Sequence, residues 1–187
     1  VAVGDRAISE QVQPGGHGVR VRAMQSLGVP VDRIGPGHRL ALNLTGVEHR
    51  QLSRGDALVA PGRWHVTERV DASLSVLAAL DHDVSRRGAY VAYIGSGEHP
   101  VAVRVLGPEA LAPGEDGLVR LHLPAGLPLV PGDRYVLRES GRDETVGGGE
   151  ILDVAPVLPA SRARPDRRVE RVVEERGLVA ADELERL

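Results

Sequence analysis

The residues that could do chemistry begin with an arginine on a strand pattern near the start of the chain. From residue 39 to 44 the sequence reads RLALNL, in which leucines alternate with Arg39, Ala41 and Asn43. Because a strand points alternate side chains to opposite faces, this pattern predicts a guanidinium and an amide side by side, away from the leucines. Such an arginine either reaches water along its aliphatic stem or meets an anion. These residues alone leave both interpretations open.

Other motifs that could mark catalysis have structural explanations. The seven histidines are scattered without the helical spacing of a zinc site, so we expect solvated loop histidines and no metal site. Gly95-Ser96-Gly97 lacks the spacing of a nucleophile elbow and is typical of a hairpin tip. Gly147-Gly148-Gly149 enters a strand pattern, not a helix that could bind phosphate, and indicates a close approach of two backbones. We therefore predict no catalytic residues.

Composition excludes several common chemistries. All 23 basic residues are arginines, and without lysine a Walker A loop, a kinase or a Schiff-base enzyme is unavailable in its usual form. The absence of cysteine excludes disulfides and thiolate metal sites and fits a reducing cytosol. No apolar run approaches the length of about 18 residues that a membrane helix needs. We expect a cytoplasmic protein with no membrane partner.

Strand patterns predict the elements that must position Arg39. Residues 19–23 alternate valine and alanine with arginine, the pattern of a half-buried strand; RLALNL and then DALVAPG come after it. We predict a small antiparallel β-barrel over residues 1–62. The chain opens without methionine on what resembles the end of a strand, so we expect this barrel to be truncated at its N-terminus.

After residue 62 the strand pattern starts again. Six strand-like runs with turn residues between them predict a second barrel or sandwich over residues 66–156. Those runs are SLSVLAAL, AYVAYI, VAVRVL, LVRLHL, RYVLR and EILDV. The overall prediction is an all-β fold of two small antiparallel β-barrels followed by a short helical tail.

The last 31 residues, 157–187, change in composition. A proline-bearing basic linker leads to VERVVEERG, which places Val169, Val172 and Val173 at helical spacing with Gly177 as a stop. A second short helical run, ADELERL, ends the chain. We expect the start of a helical domain that is poorly ordered alone.

Two stretches resemble elongation factor Tu-type GTPases. GDRYVLRESGR at 132–142 with TVGGG at 145–149 resembles the last hairpin of their third domain, which has the pattern G-x-R-F-x-x-R-E-x-G-R-T-V-G-x-G. The chain departs from that pattern by inserting Asp143-Glu144. The stretch Gly35 to Asp56 resembles their second-domain barrel, where a glycine-led strand precedes a loop ending in Arg-Gly. The resemblance implies barrels like the second and third domains of elongation factor Tu.

Three details resemble the selenocysteine-specific elongation factors (SelB) more closely. They are VRVRAMQS at 19–26, GHRLALNL with GV at 37–47, and GGEILD at 148–153. This resemblance covers nearly the whole chain. It implies the tRNA-binding part of a factor that delivers selenocysteyl-tRNA to the ribosome.

The resemblance also implies roles for individual residues. Arg39, with Asn43, would line the aminoacyl pocket, where a fixed guanidinium favours the anionic selenol of selenocysteine over serine or cysteine. Arg54 would meet the 5′ end of the acceptor stem. Contacts to the T-stem backbone, which read shape more than sequence, would come from Arg87, His99, Arg138 and Arg142.

The same resemblance implies parts that this chain lacks. GTP and Mg²⁺ would bind a GTPase domain outside the chain, so we expect no cofactor and no enzymatic activity in the chain itself. The selenocysteine insertion hairpin of the message would bind winged-helix domains, of which residues 157–187 would hold only the start. Two alternatives stay open: the barrels of another elongation factor Tu-superfamily GTPase, or a stand-alone β-barrel that binds protein.

Overall fold

Strands dominate both parts of the chain. The computed structural model describes residues 6–10, 17–61 and 64–184. Its strands are β1 Arg6–Glu10, β2 His17–Ser26, β3 Val29–Pro30, β4 Ala41–Thr45, β5 Ala57–Val59, β6 Val66–Val76, β7 Val84–Ser85, β8 Tyr90–Ile94, β9 Gly97–Val105, β10 Ala110–Leu111, β11 Asp116–Pro128, β12 Arg134–Glu139 and β13 Glu144–Asp153. The helices are α1 Val169–Arg176 and α2 Ala181–Leu184, with a 3-10 turn at His49–Gln51. Contacts divide the chain into two units, Val1–Trp64 and His65–Leu187.

The first unit is an antiparallel sheet. Its strand order is β3-β2-β1-β5, and β4 pairs with β2 as well. The described residues show this five-stranded sheet without the closure expected of a barrel, so the barrel predicted for residues 1–62 stays unconfirmed. The leucine alternation of β4 is present: Leu42 and Leu44 are half-buried, while Ala41 and Asn43 are exposed.

A bulge changes which side chains of β2 are buried. Val21 pairs with Leu44, but Ala23 and not Arg22 pairs with Asn43, so one extra residue is inserted at Arg22. Ala23 was expected to share the buried face of Val21. It is exposed instead, and Met24 takes the buried position. The strict alternation predicted for this strand is therefore wrong after residue 22.

The second unit contains a closed six-stranded barrel. Its order is β11-β6-β13-β12-β8-β9, and each of the six predicted strand-like runs lies in one of these strands or overlaps it. The choice left open between barrel and sandwich is thereby settled as a barrel. Since the chain has no phenylalanine, aliphatic side chains fill most of the interior, and fully buried examples are Val70, Leu74, Val119, Leu121 and Leu137.

The three glycines of β13 lie where strands approach closely, as the sequence predicts. A Cβ on Gly147 would collide with the carbonyl of Ser75, and one on Gly149 with that of Ser73. On the other side of the strand, Gly148 faces the carbonyl of Tyr135 in β12. Only glycine fits between β6 and β12 at these positions.

The start of the C-terminal segment packs against the second barrel. Ala160 and Ala163 are buried in a cluster with Leu106. The carbonyl of Pro156 accepts a hydrogen bond from Arg69 Nη2 at 2.9 Å. These contacts hold residues after 156 to the barrel, and the sequence pattern does not show them. The poor order expected of this segment alone stays a prediction.

Helix α1, which the valine spacing predicts, contacts the barrel through a charged residue. Val169 and Val173 are 54% and 41% exposed, whereas the Arg171 side chain is only 11% exposed. The predicted stop is confirmed: Gly177 caps the helix with φ 78°, and its N–H donates to the carbonyl of Val173. Charged residues, not valines, therefore dock this helix.

Candidate nucleic-acid interface

Arg39 lies at the entrance to β4 with its side chain in solvent. Its carbonyl accepts a hydrogen bond from Ser26 Oγ at 3.1 Å, which ties the residue to the end of β2. Within the described part of the chain, the guanidinium makes no hydrogen bond or ion pair. Asn43 is exposed on the same face, opposite Ala23. The predicted pair of polar groups therefore faces solvent on one side of the sheet.

Arg54 lies at the tip of a tight turn. Asp56 closes this turn by accepting the backbone N–H of Ser53 at 2.7 Å, and Gly55 has φ 101°, a conformation that suits glycine. Just before the turn, a capping box links Glu48 and Gln51, whose side chain accepts the Glu48 N–H at 2.8 Å. These contacts fix the loop and present Arg54 to solvent.

Arg138 and Arg142 lie on the β12–β13 hairpin, and aspartates bind both of them. Arg138 Nη2 donates to the carbonyl of Asp143 at 2.7 Å and to its Oδ1 at 2.8 Å. Arg142 Nη1 donates to Asp81 Oδ1 at 3.1 Å. Asp143, which departs from the elongation factor Tu pattern, is thus an arginine partner. The hairpin presents guanidinium groups covered by carboxylates.

Arg87 belongs to the same end of the barrel, but His99 does not belong to the surface. The hydroxyl of Ser140, in the hairpin turn, donates to the carbonyl of Ala89 at 3.0 Å, so the turn lies beside the exposed Arg87. His99 is 4% exposed because β9 alternates and points it inward. Burial lowers the pKa of His99. This buried position does not support the predicted contact of His99 with the RNA backbone.

His82 belongs to the cluster of charged side chains at this hairpin, which the sequence did not indicate. Its Nε2 lies 2.8 Å from Glu139 Oε2 and its Nδ1 lies 3.0 Å from Asp81 Oδ1, with Glu144 Oε1 at 3.7 Å. The hydrogen bond to Asp81 and that to Glu139 raise the pKa of His82. A solvated loop histidine was expected here. Glu139 and Glu144 come from a hairpin more than 50 residues away, which no local pattern indicates.

The predicted residues fall into two groups. Arg39, Asn43 and Arg54 lie in the first unit, and Arg87, Arg138 and Arg142 in the second. Across residues 6–10, 17–61 and 64–184, no three histidine or acidic side chains are arranged to bind a metal ion. No helix in this part of the chain is long and apolar enough to span a membrane.

Comparison with known proteins points to one family of translation factors. No protein-family model matches the chain. A selenocysteine-specific elongation factor from Desulfomicrobium baculatum is 30% identical over 143 residues, which are 76% of this chain and 23% of that protein. The Escherichia coli protein of the same name is 30% identical over 139 residues, 74% of this chain and 21% of that protein. Elongation factor Tu 2 from Streptomyces avermitilis is 30% identical over 144 residues, 72% of this chain and 35% of that protein.

A solved structure shares the fold of this chain. The crystal structure of a bacterial selenocysteine-specific elongation factor superposes with a TM-score of 0.71 at 23% identity, covering 95% of this chain and 28% of that one. The chain therefore spans about a quarter of the length of the selenocysteine-specific relatives it matches. These matches identify the chain as a segment related to the selenocysteine-specific elongation factors.

Proposed function

We propose that this chain is the tRNA-binding part of a cytoplasmic factor that delivers selenocysteyl-tRNA to the ribosome. In this proposal GTP and Mg²⁺ bind a GTPase domain outside the chain, and the selenocysteine insertion hairpin of the message binds winged-helix domains beyond it. The names of the relatives and the fold support the assignment. The chain contributes recognition, and it has no catalytic step of its own.

The observation that carries the proposal is the environment of Arg39. Its guanidinium faces solvent beside Asn43 and has no protein partner within the described residues. An unpaired cation on an otherwise neutral strand face can accept an anionic ligand without first losing an ion pair. A selenol is ionised at neutral pH, whereas the hydroxyl of serine is not, so this cation can distinguish the two by charge.

A second surface contributes affinity without reading the amino acid. Arg87, Arg138 and Arg142 lie together at one end of the barrel, where they can contact the phosphates of an RNA helix. Arg54 adds a cation on a rigid loop of the first unit. We assign these four arginines to the tRNA backbone and leave out His99, since its imidazole is buried.

The test measures how well the full-length protein distinguishes selenocysteyl-tRNA from seryl-tRNA. Arg39→Ala should reduce the ratio of the two affinities by about tenfold or more, because a hydrogen bond to a charged group contributes about 1.5–3 kcal/mol. Equilibrium binding with one tRNA body carrying either amino acid gives this ratio directly. Affinity for the seryl form should change little.

The matched control is Arg50→Ala. Arg50 is an exposed arginine of the same unit that is paired with Glu48 at 2.7 Å. Its loss removes one positive charge, as the Arg39 variant does, but should leave the ratio unchanged. An Arg39→Ala protein that still distinguishes the two tRNAs as the wild type does would show that Arg39 does not face the selenol.

The match to elongation factor Tu 2 supports one alternative, a translation factor that does not select selenocysteine. That alternative predicts a ratio near one for the wild-type protein and for both variants. A barrel that binds only protein predicts no salt-dependent retention of tRNA. The same binding series therefore separates the three functions.

A further inference from the structure

The arginines of the hairpin and the aspartates that bind them differ in exposure. The side chain of Asp143 is 92% exposed and that of Arg138 34%; for Asp81 and Arg142 the values are 82% and 50%. In each pair the carboxylate is therefore the outer partner. An RNA phosphate that approaches from solvent therefore competes with an exposed carboxylate for the guanidinium N–H groups.

We propose that Asp81 and Asp143 form a carboxylate screen that regulates the affinity of this surface for RNA. Each aspartate holds an arginine in an intramolecular pair, and a phosphate that binds the same N–H groups must displace that carboxylate. The inference rests on the proposed function, because it takes an RNA backbone as the partner of Arg138 and Arg142. It adds that carboxylates of the chain itself compete with RNA phosphates for these two arginines.

Displacement is feasible because exposed ion pairs are weak. A carboxylate and a phosphate oxygen compete for the same guanidinium N–H groups, and water already reaches both pairs. A single phosphate that replaces one aspartate adds little binding free energy. An RNA helix that presents phosphates to both arginines at once adds both contributions. The screen therefore favours RNA whose phosphates match the spacing of the two arginines over isolated negative charges.

The two halves of the screen differ in how firmly they are held. Asp81 Oδ1 accepts from Arg142 Nη1 at 3.1 Å and lies 3.0 Å from His82 Nδ1, so a second contact fixes its position. Asp143 has a left-handed backbone, φ 50°, and binds only Arg138 among the described side chains. Asp143 should therefore release its arginine more readily than Asp81.

The experiment neutralises each carboxylate while keeping its shape. The whole chain is prepared as Asp81→Asn, Asp143→Asn and the double variant, and tRNA binding is measured at several salt concentrations. Asparagine tolerates the left-handed conformation that residue 143 needs. We expect each single variant to bind about two- to fivefold more tightly, and the salt dependence to steepen by up to roughly one unit per aspartate neutralised. Arg138 keeps its bond to the carbonyl of Asp143, and Arg142 stays 3.7 Å from Glu139, so both arginines remain positioned.

Asp116→Asn is the control for net charge. Asp116 is an exposed aspartate at the start of β11 whose side chain makes no hydrogen bond or ion pair within the described residues, so its neutralisation adds the same charge without removing the partner of an arginine. The gain from Asp81→Asn should also disappear when Arg142→Gln is added, which a double-mutant cycle measures. Melting temperatures confirm that all variants are folded.

The outcomes separate the two proposals. One outcome is that Arg142→Gln weakens tRNA binding while the aspartate variants bind no better than Asp116→Asn. That outcome overturns the screen but still supports the RNA-binding surface. Gains specific to Asp81 and Asp143 support the screen. A chain that retains no tRNA in any variant overturns both.

Discussion

At the scale of single residues, the contacts of His82 make the stability of this protein depend on pH. The imidazole is bound between Asp81 and Glu139, at 3.0 Å and 2.8 Å, and its pKa is raised above the usual 6.5. The folded state therefore holds the proton more tightly than the unfolded chain. The stability that results is fully present below pH 6.5 and is lost as the pH rises through the raised pKa.

A His82→Gln variant tests this linkage. The melting temperature of the wild type should exceed that of the variant most at pH 6, and the difference should shrink towards pH 9. His99→Gln provides a contrast of opposite sign, because burial lowers the pKa of His99 and its neutral form is favoured in the fold. A difference for His82→Gln that is constant across this pH range would show that its proton does not contribute to stability.

Residue-scale predictions from the sequence succeeded where the reason was local. The exposed position of Arg39 follows from alternation along one strand, and the structure confirms it. The burial of His99 also follows alternation, since Val101 and Val103 share its face; that signal was present in the sequence and outweighed by the resemblance. The partner of Arg142 comes from residue 81, a distance along the chain that no pattern spans.

At the scale of elements, the glycines of β13 allow a specific test. A Cβ on Gly149 would overlap the carbonyl of Ser73, which also accepts a hydrogen bond from the Tyr135 hydroxyl at 2.7 Å. Gly149→Ala must therefore push β6 and β13 apart. We expect a loss of about 1–3 kcal/mol in the free energy of unfolding, as for other overpacked interiors.

Urea denaturation measures this loss, and Gly141→Ala is its control. Gly141 lies in the turn after β12, where a Cβ would meet no atom within 4 Å. That variant should unfold within about 0.5 kcal/mol of the wild type. Equal effects of the two substitutions would mean that loss of glycine flexibility, not the close approach of strands, determines stability.

Among the elements, features that depend on local sequence could be predicted, and features that depend on pairing with distant strands could not. The triple glycine predicted a close approach because a run without side chains leaves room for a neighbouring backbone. The bulge at Arg22 could not be predicted, since it depends on how β2 pairs with β4. Helix α1 shows the same limit: its valines have helical spacing, but the buried charges of the barrel attract the opposite face.

At the scale of the whole chain, the sequence predicted the strand runs but not how they join. Six runs correspond to the six strands of the second barrel, yet closure requires β11 to pair with both β6 and β9. Closure of the first barrel stays a prediction, since the described residues form an open sheet. The sequence also did not predict that buried charges hold the C-terminal tail to the second barrel.

Those buried charges centre on Arg171. Its Nη1 donates to Asp153 Oδ2 at 2.9 Å and to Glu175 Oε2 at 2.8 Å, and its Nη2 donates to the carbonyl of Asp166 at 3.0 Å. Asp153 is 4% exposed at the end of β13 and also accepts the N–H of Ala155. One guanidinium therefore joins the barrel, the linker and α1.

Removing that guanidinium should loosen the tail. Arg171→Met leaves the carboxylate of Asp153 buried without its closest cation, and breaking a buried pair costs about 3–5 kcal/mol; Arg176, at 3.6 Å from Asp153, should reduce that loss. Hydrogen exchange should therefore accelerate in α1 while the barrel strands stay protected. Arg168→Met, which removes an exposed charge beside the same helix, should leave exchange unchanged. If α1 exchanges equally in both variants, the segment is held by apolar contacts such as those of Ala160 and Ala163, and the charge network is incidental to its docking.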